Sequence, residues 1–376
     1  MDLIKEFSKK NNEITLDIVR DLCAIPAPSF MEHKRAEYCK KWLENAGAKG
    51  VYIDSVLNVI YPLNCEGSDE LTVLCAHTDT VFPDTESYPE YREDDERIYC
   101  PAVGDDTVRV ATVMMCAKYF IDNNIVPEKG ILFVLNSCEE GLGNLVGTRQ
   151  LFKDFEGRIK QFVTVDASIG SYVNIAVGSH RYEVVAKTAG GHSYGKFGNR
   201  NAIEVLAGMV SEIYKLRVPE NEGAKTTYNV GIIEGGTSVN TIAQSAKMLC
   251  EYRSNDRECL AVMEKEFARI FKEAESDDAQ IIVTRVGERP CKGDVDLATE
   301  KKLIDAYSRA VKETNGMDSE GRPASTDANI PMSLGVAAID VGAAVSFGAH
   351  TREEYLEKNS VAEGVEAIIR MTTYII

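Results

Sequence analysis

The sequence predicts an α/β fold in which a mostly parallel, mixed sheet is flanked by helices. Two apolar runs, residues 71–76 and 131–135, are bounded by polar residues, a pattern typical of strands that are covered on both faces. A third run follows at 162–165, and stretches with helical spacing separate the runs. This alternation of strands and helices indicates parallel strands joined by crossover helices.

The other elements of this layered domain follow from spacing and from breaks in the pattern. Helical spacing covers residues 1–25 and 31–46, and the segment Pro26-Ala-Pro28 separates these two helices. A long polar loop is expected at 82–103, where proline and tyrosine are frequent. The remaining elements expected are helices at 107–121, after Glu140, at 298–314 and from 361 onward, and a strand at 336–341.

An inserted α+β domain is expected in the middle of the chain. From about Gly178 the strands alternate between apolar and polar residues, which indicates a sheet with one exposed face. The predicted boundaries are 178–287 for the insert, and 1–177 together with 288–376 for a discontinuous first domain. The elements expected in the insert are strands at 181–187, 247–253 and 281–284 and helices at 201–216 and 257–274.

The composition makes several classes of partner unfavourable. With 42 Lys and Arg against 59 Asp and Glu, the formal net charge is −17, so nucleic acid and anionic membranes are poor partners. The ten cysteines form no C-x-x-C pair, which fits a reducing cytoplasm. No apolar stretch approaches the roughly 20 residues that span a bilayer, and no basic-then-apolar leader opens the chain. We therefore expect a cytoplasmic protein that acts on a small molecule or peptide.

Acidic residues follow three of the predicted strands and open one predicted helix. The chain has only five histidines, so a histidine at the end of a strand is informative. Because the carboxyl ends of parallel strands meet at one edge of a sheet, we expect these side chains to converge there. The residues at these positions are His77 and Asp79, Asp105 and Asp106, Glu139 and Glu140, and Asp166.

The charge of this cluster favours two divalent metal ions. Taken with one of the two adjacent aspartates at 105 and 106, the acids carry −5, and two divalent ions would leave about −1, whereas one ion would leave about −3. Several carboxylates in a largely dry site cost several kcal/mol per ion unless cations neutralise them. The pair His77-x-Asp79 also fits a ligand histidine oriented by a carboxylate, although in isolation a surface histidine in a turn is the favoured interpretation.

Seven motifs together resemble the two-zinc aminopeptidase/deacylase family. Its members include peptidase T, aminoacylase, succinyl-diaminopimelate desuccinylase and acetylornithine deacetylase, and the chain is most similar to the peptidase T-like branch. The match runs in order over nearly the whole chain. The motifs are His77-Thr-Asp79, Gly104-Asp105-Asp106, Glu139-Glu140-Gly141-Leu-Gly, Asp166, Gly190-Gly191-His192-Ser193, Gly235-Gly236-Thr237-Ser238-Val-Asn240 and His350-Thr-Arg-Glu-Glu354.

The resemblance implies a zinc-peptidase fold and a set of metal ligands. His77 and Asp166 would bind one metal, Glu140 and His350 the other, and Asp105 would bridge them. Asp106 is the alternative bridging residue. The resemblance also implies a non-proline cis peptide bond after the bridging aspartate.

Two further acids have roles implied by the resemblance. Glu139 would be the general base, and Asp79 would orient His77. One departure concerns the residues after the bridging position, which are Asp106-Thr107-Val108 rather than the x-Lys-Gly found in many relatives. This departure leaves the substrate open.

The resemblance assigns the insert to a ferredoxin-like lid and dimerisation domain. His192 would reach the active site of the partner subunit and stabilise the tetrahedral oxyanion. Asn240 would bind substrate, and Arg253 would clamp a substrate carboxylate, with an exposed ion pair as the alternative for Arg253. Asp327 and Asn329 lie in a polar loop that resembles one near the family's substrate pocket.

These features predict a homodimeric two-metal hydrolase. We expect zinc, although manganese and cobalt accept the same ligands. The predicted reaction is cleavage of the amide bond of a small peptide, in the manner of a dipeptidase, tripeptidase or aminopeptidase, by a metal-bound hydroxide with Glu139 as base. An N-acyl-amino-acid deacylase with the same centre is one alternative. The other is a metal-binding protein without catalytic activity, which would have no use for a base such as Glu139.

Overall fold

The chain forms two compact units in the computed structural model, which describes residues 2–376. One unit comprises the chain up to Ala176 together with Gly293–Ile376, and the other is Val177–Lys292. The second unit thus interrupts the first in the sequence.

The first part of the discontinuous unit carries most of the predicted elements. The helix expected at 1–25 is two helices, because Asn11 interrupts it and its side-chain amide donates to the Phe7 carbonyl at 2.8 Å. The helices are α1 (Leu3–Lys10), α2 (Asn12–Cys23), α3 (His33–Asn45), α4 (Val108–Asp122) and α5 (Val146–Asp154). The strands are β1 (Tyr52–Ile53), β2 (Val59–Leu63), β3 (Leu71–His77), β4 (Arg92–Glu93), β5 (Arg97–Tyr99), β6 (Gly130–Asn136), β7 (Ile159–Ser168) and β8 (Ser171–Ala176).

The second unit contains an antiparallel sheet covered by helices. Its longer strands and its helices follow the order β-α-β-β-α-β, which is the ferredoxin-like arrangement. The strands are β9 (Gly178–Thr188), β10 (Gly191–His192), β11 (Thr226–Gly235), β12 (Thr241–Ile242), β13 (Ser245–Ser254) and β14 (Ala279–Arg289). The helices are α6 (Ala202–Ile213) and α7 (Arg257–Glu273). The sheet order is β11-β13-β9-β14.

The chain then returns to the first unit. Two long helices of this segment, α8 and α10, pack against each other and add to the layer on one side of the sheet. The helices are α8 (Leu297–Asn315), α9 (Asn329–Ser333) and α10 (Val361–Ile375). The strands are β15 (Glu320–Ala324), β16 (Ala337–Ala344), β17 (Ser346–Phe347) and β18 (Tyr355–Glu357).

The main sheet of the first unit is mixed, with parallel strands at its centre. Within residues 2–376 its order is β1-β2-β6-β3-β7-β16-β8-β15. The pairs β6–β3, β3–β7 and β7–β16 are parallel, while β2–β6 and β16–β8 are antiparallel. The predicted fold class is therefore confirmed.

Strand β3 shows how the sequence produces this sheet. All seven of its residues are buried. Val73 and Cys75 pack into the core on one face, while Leu74 and Ala76 pack into the core on the other. Full burial of a valine or leucine side chain contributes about 1.5–3 kcal/mol, so the strand is held firmly up to its carboxyl end, where His77 lies.

The described part of the chain contains no helix that combines the length and the apolar character needed to cross a bilayer. The ten cysteines are free and buried.

Candidate metal centre

The predicted ligands of the first unit meet at the carboxyl ends of the parallel strands. His77 is the last residue of β3 and pairs with Asn136, the last residue of β6, so Glu139 and Glu140 follow beside it. Asp166 lies near the end of β7, which is the other neighbour of β3. Sets of three ligand atoms, within 4.8 Å of one another, come from His77, Asp105 and Asp166, from His77, Glu139 and Glu140, and from Asp105, Glu140 and His350.

Two of these sets share Asp105. On one side, Asp105 Oδ1 lies 3.1 Å from His77 Nε2, which is 3.9 Å from Asp166 Oδ1. On the other side, Asp105 Oδ2 lies 3.1 Å from His350 Nε2, which is also 3.1 Å from Glu140 Oε1. Each carboxylate oxygen of Asp105 therefore faces a different histidine, as a bridging ligand requires.

The neighbouring acid, Asp106, has different contacts. It is fully buried, its Oδ2 accepts the backbone N–H of His77 at 2.9 Å, and its Oδ1 lies 3.6 Å from Arg109 Nε. The peptide bond between Asp105 and Asp106 is cis, as the family resemblance implied. The two carboxylates thus point to different surroundings.

Asp79 holds the segment that carries the two glutamates. Its Oδ1 accepts the backbone N–H of Glu139 and its Oδ2 that of Glu140, both at 2.9 Å. Ser29 Oγ donates to the same Oδ2 at 2.6 Å, and His77 Nδ1 lies 3.4 Å from Oδ1. His77 Nδ1 also lies 3.0 Å from the backbone carbonyl oxygen of Asp79, so both the main chain and the carboxylate of Asp79 contact the histidine. The orienting role given to Asp79 remains a prediction.

The electrostatics of the cluster show an excess of negative charge. Hydrogen bonds to Asp105 and Glu140 raise the pKa of His350 to about 10. Burial, together with the charges of Asp105 and Glu139, raises the pKa of Glu140 to about 7. Burial and the same aspartate raise the pKa of Asp166 well above its usual value. These carboxylates cannot all ionise cheaply without added cations.

The comparisons with known proteins identify the family. A model of the peptidase family M20/M25/M40 matches residues 73–373. The chain belongs to this family. Membership confirms the resemblance that was drawn from the motifs.

Solved structures of M20/M25/M40-like proteins share the fold. The aminopeptidase PepT from Bacillus cereus is 19% identical, with 97% of this chain and 99% of that chain covered and a TM-score of 0.72. A dinuclear metal-binding peptidase of the M20 family from Bacillus subtilis is 14% identical, with 96% and 98% covered and a TM-score of 0.65. A curated relative, the probable carboxypeptidase of Arthroderma otae, is 24% identical over 242 residues, 60% of this chain. The chain spans 52% of the length of that relative.

In this member of the M20/M25/M40 family, His192 and Asn240, two residues of the insert with predicted roles in catalysis and substrate binding, lie side by side. His192 is exposed in β10, and its Nδ1 accepts the N–H groups of Tyr194 and Gly195 at 3.3 Å. The N–H of Ser193 donates to the Asn240 carbonyl at 2.9 Å. The roles given to His192 and Asn240 remain predictions.

The contacts of Arg253 are those of the alternative interpretation, an ion pair. It lies on β13 and donates to both oxygens of Glu251, at 2.7 and 3.0 Å. The side chain is 38% exposed, so the contact is that of a partly exposed ion pair on a strand. The role of carboxylate clamp given to Arg253 remains a prediction.

Asp327 and Asn329 are buried and are bound to other residues of the first unit. Each is 1% exposed. Asp327 accepts the side chains of Asn136 and Thr148, both at 2.5 Å, and Asn329 accepts the N–H of Thr326 at 3.0 Å. These internal partners explain the burial of both residues, and the substrate-binding role given to them remains a prediction.

Sequence reasoning missed three residues that support the candidate ligands. Ser29 binds Asp79, Asp340 Oδ1 accepts the N–H of Asp166 at 2.9 Å, and Glu354 binds the segment before Asp105. Asp340 had a usable signal, since it is a lone acid inside an apolar strand. Glu354 stood in the last motif without an assigned role, and Ser29 carried no signal beyond its proximity to a break.

Proposed function

We propose that the protein hydrolyses the amide bond of small peptides at a two-metal centre. The observation that carries this proposal is the position of Asp105, whose two oxygens each lie 3.1 Å from a different histidine, His77 and His350. A carboxylate that faces two nitrogen ligands in this way suits a bridge between two ions. The similarity to a PepT aminopeptidase and to a dinuclear peptidase supports the same reading.

The donor set fits two divalent ions. His77 and Asp166 would hold one ion, Glu140 and His350 the other, and Asp105 both. Imidazole and carboxylate ligands suit zinc first, and also manganese or cobalt. The raised pKa values of Glu140 and Asp166 support this fit, because they indicate that the carboxylates lack positive charge.

In the proposed reaction Glu139 is the general base. When bound, the two ions would polarise the scissile carbonyl and lower the pKa of the attacking water. Glu139 would accept the proton of that water and deliver it to the leaving amine. Glu139 is 4% exposed and its backbone N–H donates to Asp79, so the segment that carries the proposed base is held in place.

The second unit would supply the remaining groups. We propose that His192 stabilises the oxyanion from the partner subunit of a homodimer and that Asn240 contacts the substrate. Their adjacency within the insert supports a common role. A monomeric form in solution with full activity would exclude His192 from catalysis in trans.

The decisive experiment separates metal binding from proton transfer. Glu139→Gln keeps the size of the side chain but cannot accept the proton. We expect it to bind two metal equivalents, as wild type does, while the rate of peptide hydrolysis falls by roughly 10²–10⁴-fold. Glu128→Gln makes the same change at an exposed position and should leave the rate unchanged. A Glu139→Gln variant that cleaves peptides at the wild-type rate would refute the mechanism.

A panel of peptides and N-acetylated amino acids tests which substrate class the protein cleaves. We expect turnover of unblocked di- and tripeptides by the metal-loaded protein. Turnover of N-acetylated amino acids with no cleavage of peptides would instead establish a deacylase with the same centre. The similarity to both an aminopeptidase and a carboxypeptidase leaves the end preference to this assay.

A further inference from the structure

Glu354 is a buried acid whose carboxylate is bound by backbone N–H groups. Its side chain is 0% exposed. Oε1 accepts the N–H of Gly104 at 2.7 Å and that of Asp105 at 2.8 Å, while Oε2 accepts the N–H of Ala102 at 2.9 Å. Three donors from one four-residue segment therefore converge on one carboxylate, as in a backbone anion nest.

The strand pairing brings Glu354 to this segment. It directly precedes β18, which pairs with β5, and its carbonyl accepts the N–H of Cys100 at 3.1 Å. The main chain of Glu354 is thus tied to Cys100, and the side chain extends to the next residues. Both the main chain and the carboxylate of Glu354 are therefore bound.

The segment held by Glu354 has irregular backbone geometry. Ala102 has φ 62°, in the left-handed region, and Asp105 has φ −111° and ψ 88° inside the turn Val103–Thr107. In such a turn the N–H groups do not find helical acceptors. Without the carboxylate of Glu354, these buried donors would be left unpaired, and each would cost free energy.

We propose that Glu354 is a positioning residue that sets the separation of Asp105 and His350. It follows His350 by four residues and binds the segment that ends in Asp105, so one side chain connects the two loops. Asp105 Oδ2 and His350 Nε2 lie 3.1 Å apart in this arrangement. The inference rests on the proposed function, because Glu354 acts through two proposed metal ligands.

The packing around Glu354 leaves little freedom for this segment. A Cβ atom at Gly104 would lie 2.7 Å from Glu354 Oε1 and would also overlap the side chain of Ser346. Glycine is therefore required for the close approach of the backbone to the carboxylate. A change in Glu354 should accordingly be transmitted to Asp105 rather than absorbed by loose packing.

The test compares Glu354→Gln with Glu353→Gln. The first replaces one carboxylate oxygen by an NH₂ group that faces backbone donors, while the second makes the same change on the exposed neighbouring residue. The metal-free full-length protein is titrated calorimetrically with Zn²⁺, and the visible absorption spectrum is recorded at saturation with Co²⁺. We expect Glu354→Gln to bind metal about 10–100-fold more weakly and to show an altered Co²⁺ spectrum. Glu353→Gln should match wild type in both.

A second variant protects the test against loss of folding. Glu354→Asp keeps the charge but is one methylene shorter, so it cannot reach all three donors. It should give a smaller shift in the same direction, with far-ultraviolet circular dichroism like that of wild type. Folded variants with wild-type affinity and an unchanged Co²⁺ spectrum would overturn the role of Glu354 alone. A wild-type protein that binds no metal and cleaves no peptide would overturn the proposed function and this inference with it.

Discussion

Replacement of Asp79 by asparagine should destabilise the protein even before any metal is bound. Both oxygens of Asp79 accept backbone N–H groups, from Glu139 and Glu140, and Ser29 adds a third bond. Burial by itself raises the pKa of Asp79, but the interactions with His77 and these donors bring that pKa below its usual value. The folded protein therefore stabilises the ionised carboxylate, and a neutral amide loses that stabilisation.

The magnitude follows from the bonds that asparagine cannot make. One of the two backbone N–H groups would face an NH₂ group, and an unsatisfied buried donor costs about 1–3 kcal/mol. The bonds that remain change from charge-assisted to neutral, which roughly halves their strength. We expect a loss of about 3 kcal/mol in the free energy of unfolding. For a domain of this size that corresponds to a fall of about 6–12 °C in Tm.

The assay is denaturant and thermal unfolding of chelator-treated protein, so that lost metal binding does not contribute. Asp95→Asn, at an exposed aspartate, is the matched control and should stay within about 0.5 kcal/mol of wild type. An Asp79→Asn protein as stable as this control would show that the bonds to Glu139 and Glu140 are not held by the charge of Asp79.

Two further predictions concern the pH dependence of stability and the release of protons on metal binding. Hydrogen bonds from Arg20 lower the pKa of Glu93 to about 2. Since this pKa is below the unfolded value of about 4.3, the stabilisation is present above that pH and is lost as the pH falls towards 2. Glu93→Gln should lower the free energy of unfolding by about 1–2 kcal/mol at pH 7. In urea melts, the variant should also lose less stability than wild type between about pH 4.3 and 2. A loss of stability equal to that of wild type over this pH range would contradict the prediction. Metal binding at pH 7 should release roughly one proton or more, because the pKa of His350 is about 10 and that of Glu140 about 7 in the metal-free protein. Calorimetric heats that do not vary with the ionisation enthalpy of the buffer would refute it.

The convergence of His77, Glu140 and Asp166 could be predicted because a local signal in the sequence places each of them at the end of a strand. The apolar run that ends at His77 defines a strand, and parallel neighbours place their carboxyl ends at the same edge. Asp166 and Glu140 follow from the same reasoning. His350 does not end a long strand, and its position was implied only by the order of the motifs.

The contacts that hold these residues in place could not be predicted in the same way. Glu354 binds Gly104 across 250 positions, and Ser29 binds Asp79 across 50. Such pairs depend on short strands and loops, for which periodicity carries little information. The pairing of β5 with β18 is an example, since the sequence indicated only a long polar loop at 82–103.

The burial of Asp327 could not be predicted from polarity alone. It lies in a loop with several polar residues, and such loops usually run over the surface. Asp327 is instead buried, because Asn136 and Thr148, far away in the chain, satisfy both of its oxygens. A polar residue in a loop is exposed only when the fold provides no internal partners, and single-sequence patterns do not show those partners.

Four acids, Asp79, Asp106, Asp340 and Glu354, hold the candidate metal centre in place without adding positive charge to it. Each is buried and accepts the backbone N–H of a proposed ligand or base. A peptide dipole fixes a carboxylate without adding net positive charge, so the surroundings stay favourable for divalent ions, whereas a lysine or arginine in the same role would repel them. Among the described residues, the one lysine or arginine that forms an ion pair with any of these four acids is Arg109, 3.6 Å from Asp106 Oδ1. The anchoring pairs are Asp106 with His77, Asp340 with Asp166, Glu354 with Asp105, and Asp79 with Glu139 and Glu140.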